Sequence, residues 1–303
     1  MNSNFYSKLC ELLEENRIYI DEPMKKHTTF RVGGPADYFV TPKTVEEVKA
    51  IVMLCDEEGV PYYILGNGSN LLVGDKGYRG VMMQIYKEMS EIEVVGEELH
   101  IQAGALLSRI GNVALEAELC GFEFAAGIPG TIGGAVVMNA GAYGGEIKDV
   151  IISATVLTPE GEVVVIPKEK LELGYRTSAI AKKNYIVLEV CIQLCRGDKE
   201  AIRARMNELK EQRVTKQPLE YPSAGSTFKR PEGYFAGKLV QDAGLGGFRV
   251  GGAQVSEKHC GFVINKDNAT AEDIVELMKQ VRDKVNAQFG VQLEPEVKRV
   301  GEF

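Results

Sequence analysis

The chain has 303 residues, with 35 basic and 43 acidic side chains and a formal net charge of −8. This length is enough for about two domains with sizeable cores. The acidic balance, without a basic stripe, argues against general nucleic-acid binding. No apolar run approaches the roughly 18–20 residues that a membrane-spanning helix needs, and residues 1–15 lack the apolar segment of a secretory signal. We therefore expect a soluble, cytoplasmic protein.

The first part of the chain predicts a helix over residues 5–17, a strand at 37–41 and a helix that ends at Gly59. Thr44, with Glu47 three residues later, forms the capping-box pattern that begins this second helix. The remaining predicted elements of this part are a helix at 106–119 and strands at 61–65, 71–73, 81–85, 91–95, 99–102, 150–157, 162–166 and 185–195. This mixture is typical of an α+β domain.

A charge-rich helix at 199–214 predicts the crossover to a second domain. Thr270, with Asp273 three residues later, predicts the N-cap of a last helix over 271–289. The other predicted parts of this domain are a long loop at 218–233, a helix near 235–242, a strand at 262–264 and a terminal strand at 294–301.

The six cysteines lie in apolar stretches, at positions 10, 55, 120, 191, 195 and 260. Only Cys191 and Cys195 are close in sequence, on one face of a predicted strand. Zinc sites usually show two tight Cys or His pairs, and disulfide scaffolds are shorter and denser. We therefore expect reduced core thiols and, with only three histidines, no metal site.

Glycine is enriched, with 33 of 303 residues, or about 11% against a usual share of about 7%. One cluster, GNGSNL at 66–71, begins like a dinucleotide fingerprint, but its sixth residue is Leu71 and a strand follows it. No cluster closes on the G-K-[ST] of a Walker loop. The loop predicts either an anion-binding nest, with Ser69 and Asn70 as further donors, or an ordinary tight turn.

A second glycine-rich stretch, at 126–146, places a Pro-Gly turn before a short apolar helix and an Asn-Ala-Gly-Ala-Tyr loop after it. Its small residues would let a flat, extended ligand lie against bare main chain. A helix N-terminus near Thr131 would favour a pyrophosphate. Two such loops suit a dinucleotide, and the alternative is close helix–sheet packing through glycine.

The chain resembles the UDP-N-acetylenolpyruvoylglucosamine reductase (UDP-N-acetylmuramate dehydrogenase) family in six motifs that follow the family's order. They are HTTFRVGGPA (27–36), GNGSNL (66–71), the stretch 126–146, GYRTS (174–178), AGSTFK (224–229) and LEPEV (293–297). Only eight residues, 177–184, separate Arg176 from the next predicted strand. The resemblance is therefore to the shorter type, which lacks an extra loop with a substrate-contacting tyrosine.

This resemblance implies an α+β fold: an FAD-binding domain of the vanillyl-alcohol-oxidase (PCMH) type and a smaller α+β substrate-binding domain. The implied bounds are 1–24 for an N-terminal helix and linker, 25–196 for the FAD-binding domain, with lobes at about 25–75 and 76–196, and 197–303 for the substrate-binding domain. The terminal strand at 294–301 would carry Glu296. The residues implied to bind a tightly held FAD are Gly66, Asn67, Gly68, Ser69, Asn70, Leu71, Gly127, Pro129, Gly130, Thr131, Gly133, Gly134, Asn139, Gly141, Ala142 and Tyr143.

The implied reaction, a step of peptidoglycan synthesis, uses NADPH to reduce FAD, which then reduces the enolpyruvyl ether of a UDP-sugar. Arg176 would hold the substrate carboxylate bidentately. Glu296, holding a proton, would donate a hydrogen bond to the developing negative charge, and Ser226 would protonate C2. The implied substrate contacts are Tyr175, Lys216, Arg230 and His259.

The implied partner is this small molecule alone, with no nucleic acid, membrane or obligate protein partner. Two alternatives stay open. One is another FAD-dependent oxidoreductase of the same scaffold, acting on a sugar or hydroxy acid, and the other is a non-catalytic nucleotide-binding module.

Overall fold

The structure, a computed structural model, describes residues 3–303; residues 1 and 2 of the predicted N-terminal segment lie outside the described residues. Its helices are α1 (Ser3–Leu12), α2 (Val45–Glu58), α3 (Leu107–Glu116), α4 (Ile132–Val137), α5 (Ile147–Val150), α6 (Ala179–Lys183), α7 (Lys199–Lys216), α8 (Ala236–Asp242) and α9 (Ala271–Phe289). No helix of this described part is long and apolar enough to span a bilayer.

The first strands are β1 (Ile18–Pro23), β2 (Pro35–Val40), β3 (Tyr62–Leu65), β4 (Leu71–Val73), β5 (Tyr78–Gln84), β6 (Ile92–Val95), β7 (Glu98–Gln102), β8 (Leu119–Cys120) and β9 (Gly141–Ala142). The later strands are β10 (Gly145–Glu146), β11 (Ile151–Leu157), β12 (Val163–Pro167), β13 (Ile186–Gln193), β14 (Cys195–Arg196), β15 (Arg249–Val250), β16 (Ala253–Val255), β17 (Val263–Asn265) and β18 (Lys298–Val300).

The chain forms two compact units. Unit 1 comprises the chain through Tyr19, Phe39–Asn67 and Val81–Arg213, and unit 2 comprises Ile20–Tyr38, Gly68–Gly80 and Val214–Phe303. The predicted domain boundaries stay a prediction, but two segments that we assigned to the N-terminal part of the chain belong to unit 2. The reason is tertiary: Phe30, Val32 and Leu72 are buried in the apolar core of this unit.

Unit 1 contains a five-stranded sheet of strand order β12-β11-β13-β7-β6, antiparallel throughout. Strands β7 and β13 alternate as a half-buried sheet requires, with Leu99, Ile101, Val190 and Ile192 buried on one face. Helix α4 packs on β13. Unit 1 also contains β3, which runs parallel to residues 81–84 of β5.

Unit 2 is built around α9, which buries Ile274, Leu277, Val281 and Val285 along one stripe. This stripe packs on the antiparallel sheet β15-β16-β17. Strand β18 pairs in parallel with β4, from Lys298 opposite Leu71 to Val300 opposite Val73. The pairing joins segments that are more than 200 residues apart in sequence, so local pattern alone does not reveal it.

The predicted N-caps at Thr44 and Thr270 are confirmed, but the predicted capping box at α2 is only half formed. The Thr44 hydroxyl accepts from the Glu47 backbone N–H, Gly59 ends α2 in the left-handed conformation with φ 65°, and Thr270 and Asp273 form a capping box at α9. In a capping box the Glu47 carboxylate would accept from the Thr44 backbone N–H. Here it accepts from the Lys43 backbone N–H and from Arg17.

Three predicted elements have the wrong bounds. The helix over 5–17 ends at Leu12, and the chain continues into the unpredicted strand β1. The helix over 106–119 ends at Glu116. The terminal strand is shorter than 294–301, since its pairing with β4 covers only Lys298–Val300; Glu296 precedes it.

The six cysteines are unpaired by disulfides, as expected, but they are not all core residues. Only Cys55 is buried, and Cys195 is exposed. Cys191 and Cys195 lie on different strands, because β13 ends at Gln193 and Cys195 pairs with Cys120 in the ladder of β14 and β8.

Arg17 and Glu47 form a bidentate ion pair in unit 1. The Arg17 Nη1 and Nη2 atoms donate to the two Glu47 oxygens at 2.6 and 2.7 Å, and Arg17 is only 8% exposed. Hydrogen bonding from Arg17 holds the pKa of the Glu47 carboxyl below its ordinary value. The pair therefore links the segment before β1 to the first turn of α2.

We expect Glu47→Gln to lower the free energy of unfolding at pH 7 by about 1–3 kcal/mol, the cost of leaving a buried charged partner poorly satisfied. Because the pKa of Glu47 is lowered on folding, its contribution is complete above the ordinary glutamate pKa of about 4.3. The contribution disappears as the pH falls through the lowered value in the folded protein. Urea unfolding of the wild type and of Glu47→Gln should give free energies of unfolding that become equal in acid.

Glu46→Gln is the matched control, since Glu46 is exposed on the same turn of α2 and should change little at either pH. A difference between wild type and Glu47→Gln that persists unchanged in strong acid would contradict the assignment to this pair.

Candidate active site

The first glycine loop is divided between the two units, because the boundary falls between Asn67 and Gly68. Within unit 1, the Asn67 side chain donates to the Pro129 carbonyl at 3.0 Å, and the Gly66 carbonyl accepts from the Gln84 side chain at 3.0 Å. A Cβ on Gly66 would lie 2.2 Å from the Thr131 hydroxyl oxygen. Unit 1 thus places the start of this loop directly beside the Pro129–Thr131 part of the second loop.

The rest of the first loop is held within unit 2. Gly68 has φ 62°, and a Cβ there would lie 2.0 Å from the His27 carbonyl oxygen. The Asn70 backbone carbonyl accepts from the Lys298 backbone N–H at 2.9 Å. Leu71 is the first residue of β4, and Ser69 lies between Gly68 and Asn70. These contacts fold the 68–71 segment against the HTTF segment and the chain terminus.

The segment at 127–137 shows the close glycine packing that the sequence left open as one alternative, and its ligand contacts stay a prediction. Thr131 caps α4 by accepting from the Gly134 backbone N–H, while Gly130 accepts from the Leu107 N–H. Gly133 is a packing glycine, since its Cβ would lie 2.9 Å from the Ala103 Cβ. Helix α4 spans only six residues, so its dipole is weaker than the prediction of a pyrophosphate site at Thr131 assumed.

The Asn-Ala-Gly-Ala-Tyr loop forms a hairpin in unit 1. Gly141 and Ala142 pair with Glu146 and Gly145, and the turn between them contains Tyr143 with φ 54° and Gly144 with φ 88°. Two successive positive φ values are typical of the tight turns that join antiparallel strands. The loop is therefore ordered, and it presents small residues and one aromatic ring.

Asn139 connects this hairpin to the turn that carries Arg176. Asn139 is 1% exposed; its amide nitrogen donates to Glu146 and to the Gly174 carbonyl, and its amide oxygen accepts from the Lys148 N–H at 2.9 Å. Asn139 as a cofactor contact stays a prediction. Its amide group is engaged in hydrogen bonds with the protein.

Arg176 lies in a two-residue turn closed by the backbone hydrogen bonds between Gly174 and Thr177. It has φ 54°, a conformation that is uncommon for a residue other than glycine and that concentrates at functional sites. Its guanidinium lies 5.0 Å from the ring centroid of Tyr175, which is 53% exposed. The turn therefore presents an arginine and a tyrosine on a constrained backbone.

Arg213, which the sequence analysis did not single out, lies beside two of the predicted cofactor residues. Its guanidinium lies 6.0 Å from the Tyr143 ring centroid, and a Cβ on Gly127 would lie 3.1 Å from its Nε atom. Burial lowers the pKa of Arg213. Because Arg213 lies in the charge-rich helix α7, nothing in the local pattern distinguishes it from its solvated neighbours.

Unit 2 brings the serine motif and the glutamate motif together. The Glu296 N–H donates to the Thr227 carbonyl at 2.8 Å. Phe228 and Pro295 form an isolated antiparallel β-bridge. Glu296 is 9% exposed, and its carbonyl accepts from the Asn70 side chain at 3.2 Å. Ser226, which is exposed, directly precedes Thr227. Predicted residues from three distant motifs thus meet within one unit.

The predicted substrate contacts in unit 2 differ in their surroundings. Lys216 is exposed at the end of α7, and the Arg230 guanidinium lies 4.5 Å from the ring centroid of the exposed Phe235. His259 is half-buried; its Nδ1 atom accepts from the Gly261 N–H at 3.1 Å, and burial lowers its pKa. Both features favour a neutral imidazole.

Comparisons with known proteins identify two families along the chain. The family described as "FAD binding domain" matches residues 36–167, and the family described as "UDP-N-acetylenolpyruvoylglucosamine reductase, C-terminal domain" matches residues 217–300. The UDP-N-acetylenolpyruvoylglucosamine reductase of Agathobacter rectalis is 56% identical over 100% of both chains. That of Clostridium beijerinckii is 54% identical over 99% of this chain and 97% of its own.

Solved structures confirm the predicted fold class. The crystal structure of UDP-N-acetylenolpyruvylglucosamine reductase from Thermus caldophilus has a TM-score of 0.81 and 37% identity, covering 94% of this chain and 99% of that chain. An alkyldihydroxyacetonephosphate synthase, 17% identical with a TM-score of 0.51 over 65% of this chain and 41% of its own, is similar in fold alone. With more than half of its residues identical to two reductases over essentially the full length, the chain belongs to the UDP-N-acetylenolpyruvoylglucosamine reductase family.

Proposed function

We propose that this chain is an NADPH-dependent flavoenzyme that reduces the enolpyruvyl ether of UDP-N-acetylglucosamine enolpyruvate to UDP-N-acetylmuramate, a step of peptidoglycan synthesis. The observation that carries the proposal is the 56% identity to a reductase of this name over 100% of both chains. The six motifs that carry the resemblance all lie inside this alignment.

The residues of unit 1 fit an FAD. Gly66 and Asn67 lie beside Pro129 and Thr131, and both loops expose main chain with little side-chain bulk, as a flat dinucleotide requires. When bound, FAD supplies hydride transfer from NADPH to the methylene carbon of the enolpyruvyl group. We assign the cofactor contacts to the predicted loop residues, with Asn139 acting through the turn that it holds.

Arg176 would neutralise the substrate carboxylate. Hydride addition at the methylene carbon drives electrons onto C2 and into the adjacent carboxylate, so negative charge grows there in the transition state. A guanidinium stays charged and can hold both carboxylate oxygens. The turn closed by Gly174 and Thr177 fixes its backbone, so little reorganisation is needed during the reaction.

Glu296 and Ser226 would complete the reaction. Glu296 is nearly buried, and in the proposed role it would hold a proton and donate a hydrogen bond to the developing negative charge. Ser226 would deliver its hydroxyl proton to C2, which is strongly basic once it carries carbanion character. Thr227, the next residue, is held by its own hydrogen bonds, and these fix the backbone beside Ser226.

The UDP group and the sugar would contact Lys216, Arg230, His259 and Tyr175. Cationic side chains favour a diphosphate, and local charges govern the field at a site more than the net charge of −8 does. A neutral His259 would act as a hydrogen-bonding group and not as a cation. The cytoplasmic location and the absence of an obligate protein partner stay predictions.

The test is a visible spectrum of the purified protein, followed by anaerobic addition of NADPH and then of UDP-N-acetylglucosamine enolpyruvate. We expect a yellow protein that NADPH bleaches and the enolpyruvyl nucleotide restores. Bleaching without restoration would favour another FAD-dependent oxidoreductase, and a protein that stays colourless with added FAD would favour a nucleotide-binding module.

Asn139→Gly should lower the free energy of unfolding by about 1–3 kcal/mol, because Glu146, Lys148 and Gly174 lose partly buried hydrogen bonds to the Asn139 side chain. It should also slow flavin reoxidation by the enolpyruvyl nucleotide about 10–100-fold, because the Arg176 turn is displaced. Flavin reduction by NADPH should change less. Urea unfolding and anaerobic stopped-flow measurements of the two half-reactions test both expectations.

Glycine is chosen because Asn139 has φ 44°, which alanine tolerates poorly; Asn139→Ala should therefore be the less stable variant. A glycine variant with a normal reoxidation rate would remove Asn139 from the positioning of Arg176.

A further inference from the structure

Glu98, His100 and Cys191 form a cluster on the solvent side of the five-stranded sheet in unit 1. The Glu98 Oε2 atom lies 3.5 Å from the His100 Nε2 atom and 3.8 Å from the Cys191 Sγ atom. The possible ligand atoms of all three side chains lie within 4.8 Å of one another. The cluster thus joins a carboxylate, an imidazole and a thiol, the three ligand types that zinc accepts.

The backbone explains why these side chains meet. Glu98 and His100 are two residues apart on β7 and so point to the same face. Cys191 lies directly opposite His100 in the antiparallel ladder of β7 and β13, where opposite side chains are neighbours. The ladder continues on both sides, so the positions of all three residues are set by regular sheet structure and not by a loop.

Two of the three separations are close to those of a tetrahedral cation site, and the third, between the His100 ring nitrogen and the Cys191 sulfur, lies within 4.8 Å. Typical zinc–sulfur, zinc–nitrogen and zinc–oxygen bonds of about 2.3, 2.05 and 2.1 Å give sulfur–oxygen and nitrogen–oxygen edges of about 3.6 and 3.4 Å. The observed contacts of 3.8 and 3.5 Å are within a few tenths of an ångström of these edges. The Glu98–His100 contact is longer than a good hydrogen bond between these groups, while the Cys191 thiol lies within hydrogen-bonding distance of Glu98.

We propose that Glu98, His100 and Cys191 bind one Zn²⁺ ion, with water in the fourth position. The mixed sulfur, nitrogen and oxygen set suits this borderline cation and not Ca²⁺ or Mg²⁺, which take oxygen ligands. Burial raises the pKa of Cys191 to about 11, so the ion must displace the thiol proton on binding. The ion would link β7 to β13 and stabilise this sheet.

The test is calorimetric titration of the purified flavoprotein, freed of metal by a chelator, with zinc chloride. We expect one equivalent to bind, with a zinc-edge X-ray absorption spectrum that contains one sulfur neighbour. Cys191→Ser, His100→Gln and Glu98→Gln should each weaken binding at least tenfold. Zinc at 100 times its dissociation constant should shift the folding equilibrium of the wild type about 100-fold, read as a higher melting temperature that EDTA reverses.

Cys195→Ser is the matched control, because Cys195 is an exposed thiol on the separate strand β14 and should leave the affinity unchanged. Metal-free turnover of the three cluster variants should equal that of the wild type, which also verifies that they fold. Wild type without saturable micromolar zinc binding would overturn the proposal, as would equal affinity in Cys191→Ser or a spectrum without sulfur. None of these results bears on the proposed reductase activity.

Discussion

Ser226→Ala is expected to leave flavin reduction by NADPH unchanged and to slow flavin reoxidation by the enolpyruvyl nucleotide about 10²–10⁴-fold, the usual contribution of a positioned general acid. The separation of the two half-reactions follows from the proposed role, because the Ser226 proton is needed only after hydride has reached the substrate. Anaerobic stopped-flow absorbance of the flavin measures each half-reaction independently.

The structure gives this prediction a precise control. Ser226 follows Gly225, which has φ 74°, and precedes Thr227, whose hydroxyl accepts from the Val263 N–H at 2.8 Å. Its backbone is thus held from both sides, and removal of one hydroxyl should not move it. Ser223→Ala, three residues earlier on the same loop, should reoxidise at the wild-type rate. Unimpaired turnover of Ser226→Ala would exclude Ser226 as the proton donor.

Arg176→Gln is expected to lower the rate of flavin reoxidation by the enolpyruvyl nucleotide about 10²–10³-fold, the usual cost of losing one preorganised donor to a developing anion. Arg176→Lys should recover only part of this loss, because an ammonium cannot hold both carboxylate oxygens in a planar fork. The concentration dependence of reoxidation separates weaker binding from slower chemistry, and we expect both parameters to change.

Lys183→Gln is the matched control for Arg176, since Lys183 is an exposed cation seven residues later and has no proposed contact with the substrate. It should reproduce the wild-type rate. If Arg176→Gln raised only the substrate concentration needed for half-maximal reoxidation, Arg176 would bind the ground state and transition state equally, and its stabilising role would be wrong.

Parts of the candidate site that are formed by residues adjacent in sequence could be located from the sequence. The turn at Tyr175 and Arg176, the Thr131 cap and the small-residue hairpin all appear in continuous stretches of sequence, and the structure gives each an ordered backbone. Asn139 shows the limit of this approach. A sequence motif marks it as a site residue, but only the tertiary structure reveals that its amide holds the Gly174 carbonyl.

Arg213 and the Glu98–His100–Cys191 cluster were not predictable. Arg213 differs from other cations of α7 only through its neighbours Gly127 and Tyr143, which lie far away in the sequence. In the cluster, Cys191 meets His100 through strand register, and register depends on how a whole sheet is assembled. A search for metal ligands by sequence spacing therefore overlooks it.

The sequence by itself determined the local features: the Thr44 and Thr270 caps, the left-handed end of α2 at Gly59, the alternation of β7 and β13, and the family. These depend on interactions within a few residues or on motifs read in order. The tertiary structure alone decided that β18 pairs with β4, that 20–38 and 68–80 belong to unit 2, and that Glu296 lies beside Thr227. Those features arise from burial and backbone pairing between distant segments, whose free energy is gained only when the whole chain folds.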